Sequence, residues 1–202
     1  RRFVLGEWAA AEGLVYDFFG PELVQPVPES LDGPWYISCD YGTVNPTSMG
    51  LWGQKGGVWY RTAEFYYDSR KTGRQQTDGE YADDLARLAG GRDIRGVVLD
   101  PSAASFREEL IRRGWTVYRA ENEVLSGIRR TAELLRAGQL VICSPCEDAI
   151  REFGLYRWDT AATGDRVVKE HDHAMDDIRY FAVTVASRRS EGFFAGAVER
   201  SG

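Results

Sequence analysis

The sequence predicts an α/β domain organised around a mixed β-sheet with helices on both faces. Three observations lead there. Residues 35–67 hold three strand-like runs joined by short turns, the pattern of an antiparallel meander. From residue 95 onward strand-like and helix-like segments alternate, as α/β crossovers require. The 202 residues, 43% hydrophobic and 28% charged, are enough chain and apolar material for one substantial core.

Taken in order, residues 1–34 read as a leader, a short amphipathic piece followed by a linker marked by Pro21, Pro26, Pro28 and Gly33. The apolar run Trp35-Tyr36-Ile37-Ser38-Cys39-Asp40 is the first strand. The turn Tyr41-Gly42-Thr43-Val44-Asn45-Pro46 leads to a second strand over 47–53. Lys55-Gly56-Gly57 makes a hairpin turn into a third, alternating strand, Val58–Tyr67. A helix over 76–89 buries Tyr81, Leu85 and Leu88. Then come a strand at Arg95–Leu99 and a helix at Ala103–Arg113, stopped by Gly114. Trp115–Arg119 is a strand, Val124–Ala137 a helix and Leu140–Ile142 a strand. Helices over Pro145–Tyr156 and 172–186 complete a domain spanning 35–187, and 188–202 reads as a polar tail.

The bulk composition excludes several classes. No apolar run approaches the ~20 residues that span a bilayer, and the N-terminus turns polar too soon for a signal peptide. The first residue is not Met, so the chain reads as a piece of something larger. Cys39, Cys143 and Cys146 are an odd number, against a disulfide framework and for a reducing compartment. Cys143 and Cys146 form a lone C-x-x-C without enough partners for tetrahedral zinc, and read as two half-buried thiols at a strand-to-helix turn. The net charge of −6 gives no general attraction for nucleic acid. Residues 105–140 are nevertheless a mildly basic island, rich in arginine, which read blandly is a solvated helix face.

Three aspartates stand apart. Asp40 ends the first strand, Asp100 ends Gly96-Val97-Val98-Leu99, and Asp176 lies in the opening of the last helix. A carboxylate at the end of a buried strand is expensive unless it meets solvent, a cation or a donor. Two such strands and one helix, each bringing a carboxylate, point to a site for divalent metal ions, which as hard cations take oxygen ligands. Each aspartate also has a bland reading: an Asx-turn for Asp40, a helix N-cap for Asp100, and helix-dipole stabilisation for Asp176.

In the last helix Ala174, Ile178, Phe181, Ala182 and Val185 form the apolar stripe. Asp176 projects away from it, on the side of His173 and Tyr180, while Asp177 flanks it nearer the sheet; the helical wheel alone does not choose between the two. His173 is placed to steer a phosphate, shuttle a proton or bond an acidic neighbour, whereas His171 has no such positional support.

At these residues the chain resembles the C-terminal nuclease domain of tailed-bacteriophage terminase large subunits. The resemblance runs through Leu5-Gly6-Glu7-Trp8 with Ala11-Glu12-Gly13-Leu14-Val15-Tyr16, Ile37-Ser38-Cys39-Asp40-Tyr41-Gly42 with Asn45-Pro46, and Asp100-Pro101-Ser102-Ala103. It continues through Asn122, Val124 and Gly127-Ile128-Arg129, and through Asp172-His173-Ala174-Met175-Asp176 with Arg179-Tyr180. It implies a ribonuclease-H-like fold that cleaves concatemeric viral double-stranded DNA during genome packaging, in the cytoplasm of the bacterial host. By position Asp40, Asp100 and Asp176 match the family's acidic triad, and His173 its histidine three residues before the last acid. Asp177 departs from the pattern, which usually has a small residue there, and so stands as an alternative metal ligand.

The expected mechanism is two-metal phosphodiester hydrolysis, with Asp40 bridging two Mg²⁺ or Mn²⁺ ions about 4 Å apart. Arg107, Arg129 and Arg130 of the basic island would hold flanking phosphates without reading sequence. No phosphate-cradling G-x-x-x-x-G-K-[ST] loop occurs, so ATP hydrolysis is not expected of this stretch. The ATPase domain is expected to precede residue 1, with the portal and the small terminase subunit as further partners. Asp40-Tyr41-Gly42-Thr43 also resembles the first phosphate motif of sugar kinases and actin-like ATPases, which need a second domain this length does not provide. A docking domain of the packaging motor with merely structural acids, and a junction resolvase of the same fold, are the other rivals.

Overall fold

The structure, a computed structural model, describes residues 13–191. Among the described residues seven strands form one sheet: β1 (Val24–Gln25), β2 (Trp35–Asp40), β3 (Thr47–Lys55), β4 (Val58–Tyr67), β5 (Ile94–Leu99), β6 (Val117–Arg119) and β7 (Leu140–Cys143). Their order across the sheet is β1-β7-β4-β3-β2-β5-β6. The meander β2–β3–β4 pairs antiparallel, as tight turns allow, while β5, β6, β7 and β1 join in parallel. The mixed sheet expected from the sequence is therefore present.

The helices are α1 (Ser69–Thr72), α2 (Asp78–Ala89), α3 (Ala104–Arg112), α4 (Val124–Arg136), α5 (Glu147–Phe153) and α6 (His173–Thr184), followed by a 3₁₀ turn at Ala186–Glu191. Alternation along the strands sorts side chains into two cores. Ile37, Cys39, Met49, Leu51, Val97 and Leu99 face α2 and α3, meeting Tyr81, Leu85, Phe106 and Leu110. Tyr36, Trp52, Trp59 and Ile142 face the other way and meet Ile128 of α4, Phe153 of α5 and Ile178 and Phe181 of α6. Phe181 stacks on Trp52 with ring centroids 4.2 Å apart, which seats α6 across the centre of the sheet.

Two segments differ from expectation. Residues 13–34 belong to the folded body: Tyr16 and Phe19 are buried, Phe19 stacks on Phe153 at 3.8 Å, and Val24–Gln25 pair with Ile142–Cys143. The prolines there mark turns between anchored pieces. The strand after α3 begins at Val117 rather than Trp115, and α5 is confined to Glu147–Phe153. Leu5-Gly6-Glu7-Trp8, the short amphipathic piece and most of the 188–202 tail lie outside the described residues. Cys143 and Cys146 do stand at a strand-to-helix turn, unpaired and fully buried.

Candidate active site

The site begins with strand register. Cys39 pairs with Leu99 in the parallel β2–β5 ladder, so Asp40 and Asp100, one residue further on, lie side by side at the same carboxyl edge of the sheet. Cys39 belongs to the core under α2 and α3, so Asp40 points to the opposite face, toward α6. Crevices at the carboxyl ends of parallel strands are where α/β sheets bind ligands.

Helix α6 starts above this edge. Its first turn is held by Glu152 of α5, whose Oε2 accepts from the Ala174 backbone N–H at 2.7 Å and whose Oε1 accepts from the Tyr66 hydroxyl at 2.6 Å. This buried carboxylate takes the part that the N-cap residue Asp172 does not play through its own side chain. Burial raises the Glu152 carboxyl, and the Tyr66 and Ala174 donors oppose the rise.

With α6 so placed, His173 Nδ1 lies 2.8 Å from Asp40 Oδ2 and His173 Nε2 lies 3.8 Å from Asp172 Oδ1. Burial pushes the Asp40 carboxyl up to about 7; the His173 hydrogen bond opposes this and the charge of Asp176 adds to it. The same contact works on the imidazole. Burial lowers its pKa, but the bond to Asp40 and the charges of Asp40 and Asp172 leave it raised. Asp172 is buried and also raised, first by burial and then by Asp176.

Asp100 is held differently. Burial alone would raise it, but its Oδ1 accepts from the Ser102 N–H (2.7 Å) and hydroxyl (2.5 Å) and its Oδ2 from the Tyr180 hydroxyl (2.8 Å), so it sits below the ordinary range. Asp176 Oδ1 accepts from Arg179 Nη2 at 2.8 Å, and Arg179 also donates to the carbonyls of Asn122 and Glu123. Tyr180 is the α6 residue that reaches Asp100. Its phenol is raised chiefly by burial, then by the charges of Asp40, Asp176 and Asp100.

Asp177 faces inward, under α6. It accepts from Ser38 Oγ at 2.7 Å, Arg61 Nη2 at 3.0 Å and Ser48 Oγ, and has no exposed side-chain surface. Trp52 Nε1 donates to the same Ser38 hydroxyl at 2.8 Å.

Asp40, Asp172, His173 and Asp176 line a cleft of about 540 Å³ together with Tyr41, Tyr66, Asp68, Arg70, Lys71, Arg151 and Lys169. The cations on its wall are therefore Arg70, Lys71, Arg151 and Lys169. Arg107, Arg129 and Arg130 are not among its lining residues. Arg107 and Arg129 are exposed on α3 and α4, and Arg130 bonds Ser187 Oγ at 2.8 Å and Glu133 at 3.0 Å. The cleft cations come from α1, α5 and the 154–172 loop, and are a cluster only in space. Sequence reasoning also misses Asp172 as a site residue, although its place beside His173 in Asp-His-x-x-Asp is the available signal.

The donor set is carboxylate oxygen with two imidazoles, His173 and also His171, which has no positional support in the sequence; this set suits a hard divalent cation rather than a thiolate-seeking one. Among the described residues, no three His, Cys, Asp or Glu side chains stand arranged as a ready-made cage. Each acid is instead engaged by a protein donor: His173 for Asp40, Arg179 for Asp176, and Ser102 and Tyr180 for Asp100.

The chain matches no protein-family model and no curated protein sequence. Solved structures do match. The large terminase of a thermophilic bacteriophage, solved in complex with ADP, is 42% identical with a TM-score of 0.83 over 86% of this chain. The chain spans 45% of that protein's length. The nuclease domain of the P22 large terminase is 19% identical, with a TM-score of 0.70 over 88% of this chain and 93% of that domain. The large terminase nuclease of thermophilic phage G20c, with bound magnesium, is 15% identical, with a TM-score of 0.64 over 85% of this chain and 97% of that one. At their identities the last two speak for the fold alone, which is ribonuclease-H-like. Sequence and fold together say that the chain belongs to the phage large-terminase family and matches its nuclease domain.

Proposed function

We propose that this domain is a divalent-metal-dependent endonuclease that cuts concatemeric viral double-stranded DNA during packaging in the host cytoplasm. The observation that carries the reading is that Asp40 and Asp100 end neighbouring parallel strands at one edge of the sheet, where α6 brings His173 to Asp40 and Tyr180 to Asp100 and carries Asp176 on the wall of the same cleft as Asp40. The G20c nuclease has been solved with magnesium and with cobalt, which supports divalent ions for this family member.

Asp40, Asp100 and Asp176 would hold two ions, Mg²⁺ or Mn²⁺. Bound there, the ions would supply an activated water and charge stabilisation at the leaving 3′-oxygen. Asp176 rather than Asp177 takes the third position, because both Asp177 oxygens already accept from Ser38, Ser48 and Arg61 within the core. His173 orients Asp40 through Oδ2, Arg179 orients Asp176, and Tyr180 with Ser102 orients Asp100. Arg70, Lys71 and Arg151 on the cleft wall are better sited than Arg107, Arg129 or Arg130 to hold phosphates beside the reacting one.

The whole protein would pair this domain with an ATPase on the same polypeptide and act with the portal and the small terminase subunit. The relative solved with ADP is about twice as long as this chain, which leaves room for such a domain. Incubation of the chain with supercoiled plasmid in Mn²⁺, in EDTA and as Asp40→Ala tests the reading. Cleavage in Mn²⁺ alone is expected, abolished by chelator and by the substitution. Cleavage that survives either sinks it.

A further inference from the structure

Lys169 stands out among the cations of the cleft because it reaches the acids themselves. Its Nζ lies 3.7 Å from Asp172 Oδ2 and 3.8 Å from Asp176 Oδ2. The two carboxylates are 7% and 11% exposed, whereas the Lys169 side chain is 64% exposed. The ammonium is therefore brought in from outside, on a flexible stem, to a pair of nearly enclosed carboxylates. Arg179, the other cation on Asp176, is 2% exposed and tied to the Asn122 and Glu123 carbonyls, so it is a fixed part of the wall.

The loop bearing Lys169 is itself anchored. Trp158 bridges to Val167 in antiparallel fashion, Asp159 N–H donates to Arg166 O at 2.8 Å, and Val168 N–H donates to Arg157 O at 2.9 Å. Lys169 leaves this short hairpin two residues past the bridge, so its backbone is held while its side chain is not. A compact, strongly hydrated ammonium on four methylenes can neutralise two carboxylates and return to solvent when another cation takes its place.

Resting on the metal site proposed above, we propose that Lys169 is a tethered counter-cation that occupies the Asp172–Asp176 edge of the site and competes with a divalent ion for Asp176. With no ion bound, it offsets the repulsion between two neighbouring carboxylates. Ion uptake displaces it toward the cleft, whose wall already carries Arg70 and Arg151. Lys169 is a positioning residue in this role, setting how tightly the site takes its metal.

The test is a Mn²⁺ titration of the full chain without DNA, followed by electron paramagnetic resonance of the free ion. Lys169→Met keeps the stem and removes the charge, and should bind Mn²⁺ about three- to tenfold more tightly than the unaltered protein. Lys169→Arg keeps the charge and should bind as the unaltered protein does. In EDTA, Lys169→Met should melt at a lower temperature than the unaltered protein, and saturating Mn²⁺ should close the gap. Equal or weaker Mn²⁺ binding by Lys169→Met overturns the proposal while leaving the metal site standing. No Mn²⁺ uptake by any of the three proteins overturns the metal site, and the proposal with it.

Discussion

Arg61 of β4 and Asp177 of α6 form an ion pair with no exposed side-chain surface on either partner. The guanidinium also reaches Glu64 Oε2 at 3.4 Å, and Glu64 in turn accepts from the Asp148 and Ala149 backbone N–H groups at the start of α5. One buried arginine thus ties β4 to α6 directly and to α5 through Glu64. Burial works against its charge, but Asp177 and Glu64 raise its pKa above the ordinary arginine value.

Breaking that pair leaves a buried charge without its partner. Asp177→Ala is expected to lower unfolding free energy by about 3–5 kcal/mol, measured by urea denaturation. Gly50 is part of the same design, since a Cβ there would overlap the Arg61 guanidinium. Gly50→Ala should destabilise by about 1–3 kcal/mol through overpacking. Asp176→Asn keeps an amide oxygen for Arg179 at the cleft wall and should cost less than Asp177→Ala.

The Asp40–His173 contact predicts a pH dependence. Asp40 holds a proton in the folded state up to about pH 7, whereas the unfolded chain releases it near 3.8. The folded state therefore binds more protons between those values, and stability falls as pH rises through the window. His173, which burial lowers, is raised mainly by Asp40, whose charge appears only as that carboxyl ionises, so the two groups titrate as one coupled pair and their shifts are counted once. Asp40→Asn removes the carboxylate and should melt several degrees above the unaltered protein at pH 8 in EDTA, with the gap closing toward pH 5.

The imidazole can be followed separately by NMR. Asp40→Asn removes both the hydrogen-bonding and charge support of His173 and should lower its pKa. Glu152→Gln, which removes a weaker influence, should lower it less. Glu152→Ala also strips the acceptor from the Tyr66 hydroxyl and the Ala174 N–H, and should cost about 1–3 kcal/mol of stability.

DNA affinity should report the cleft wall. Removing one phosphate-binding cation should flatten the dependence of log K on log salt by about 0.9. Arg70→Gln and Arg151→Gln are each expected to do so in a binding assay with Ca²⁺, and Arg107→Gln is expected to leave the slope unchanged. A flattened slope in Arg107→Gln alone would restore the basic island as the DNA surface.

Much of this is readable in the residues. The alternation of Tyr36, Ile37, Ser38, Cys39 and Asp40 already assigns Asp40 to the face opposite Cys39, and the helical wheel puts Asp177 nearer the sheet than Asp176. The buried serines and glycine under α6 are legible only as weak strand residues, because nothing local announces that Ser38 and Ser48 bond Asp177 or that Gly50 makes room for Arg61 on the neighbouring strand. The same limit hides the cleft cations. Arg70, Arg151 and Lys169 are far apart in the chain and meet through the sheet order, whereas the arginines of 105–140 are close in sequence and spread over separate helices. The packing of residues 13–25 is masked by prolines, although Tyr16 and Phe19 are the kind of paired aromatics that anchor a segment.

The metal-site assignment itself is tested most directly by anomalous diffraction from crystals soaked in Mn²⁺. An anomalous peak is expected within about 2.0–2.3 Å of an Asp40 oxygen, with Asp100 or Asp176 as a second ligand and Asp177 still bound to Arg61. A soaked crystal with no peak beside Asp40, or with its peak on Asp177, would contradict the assignment.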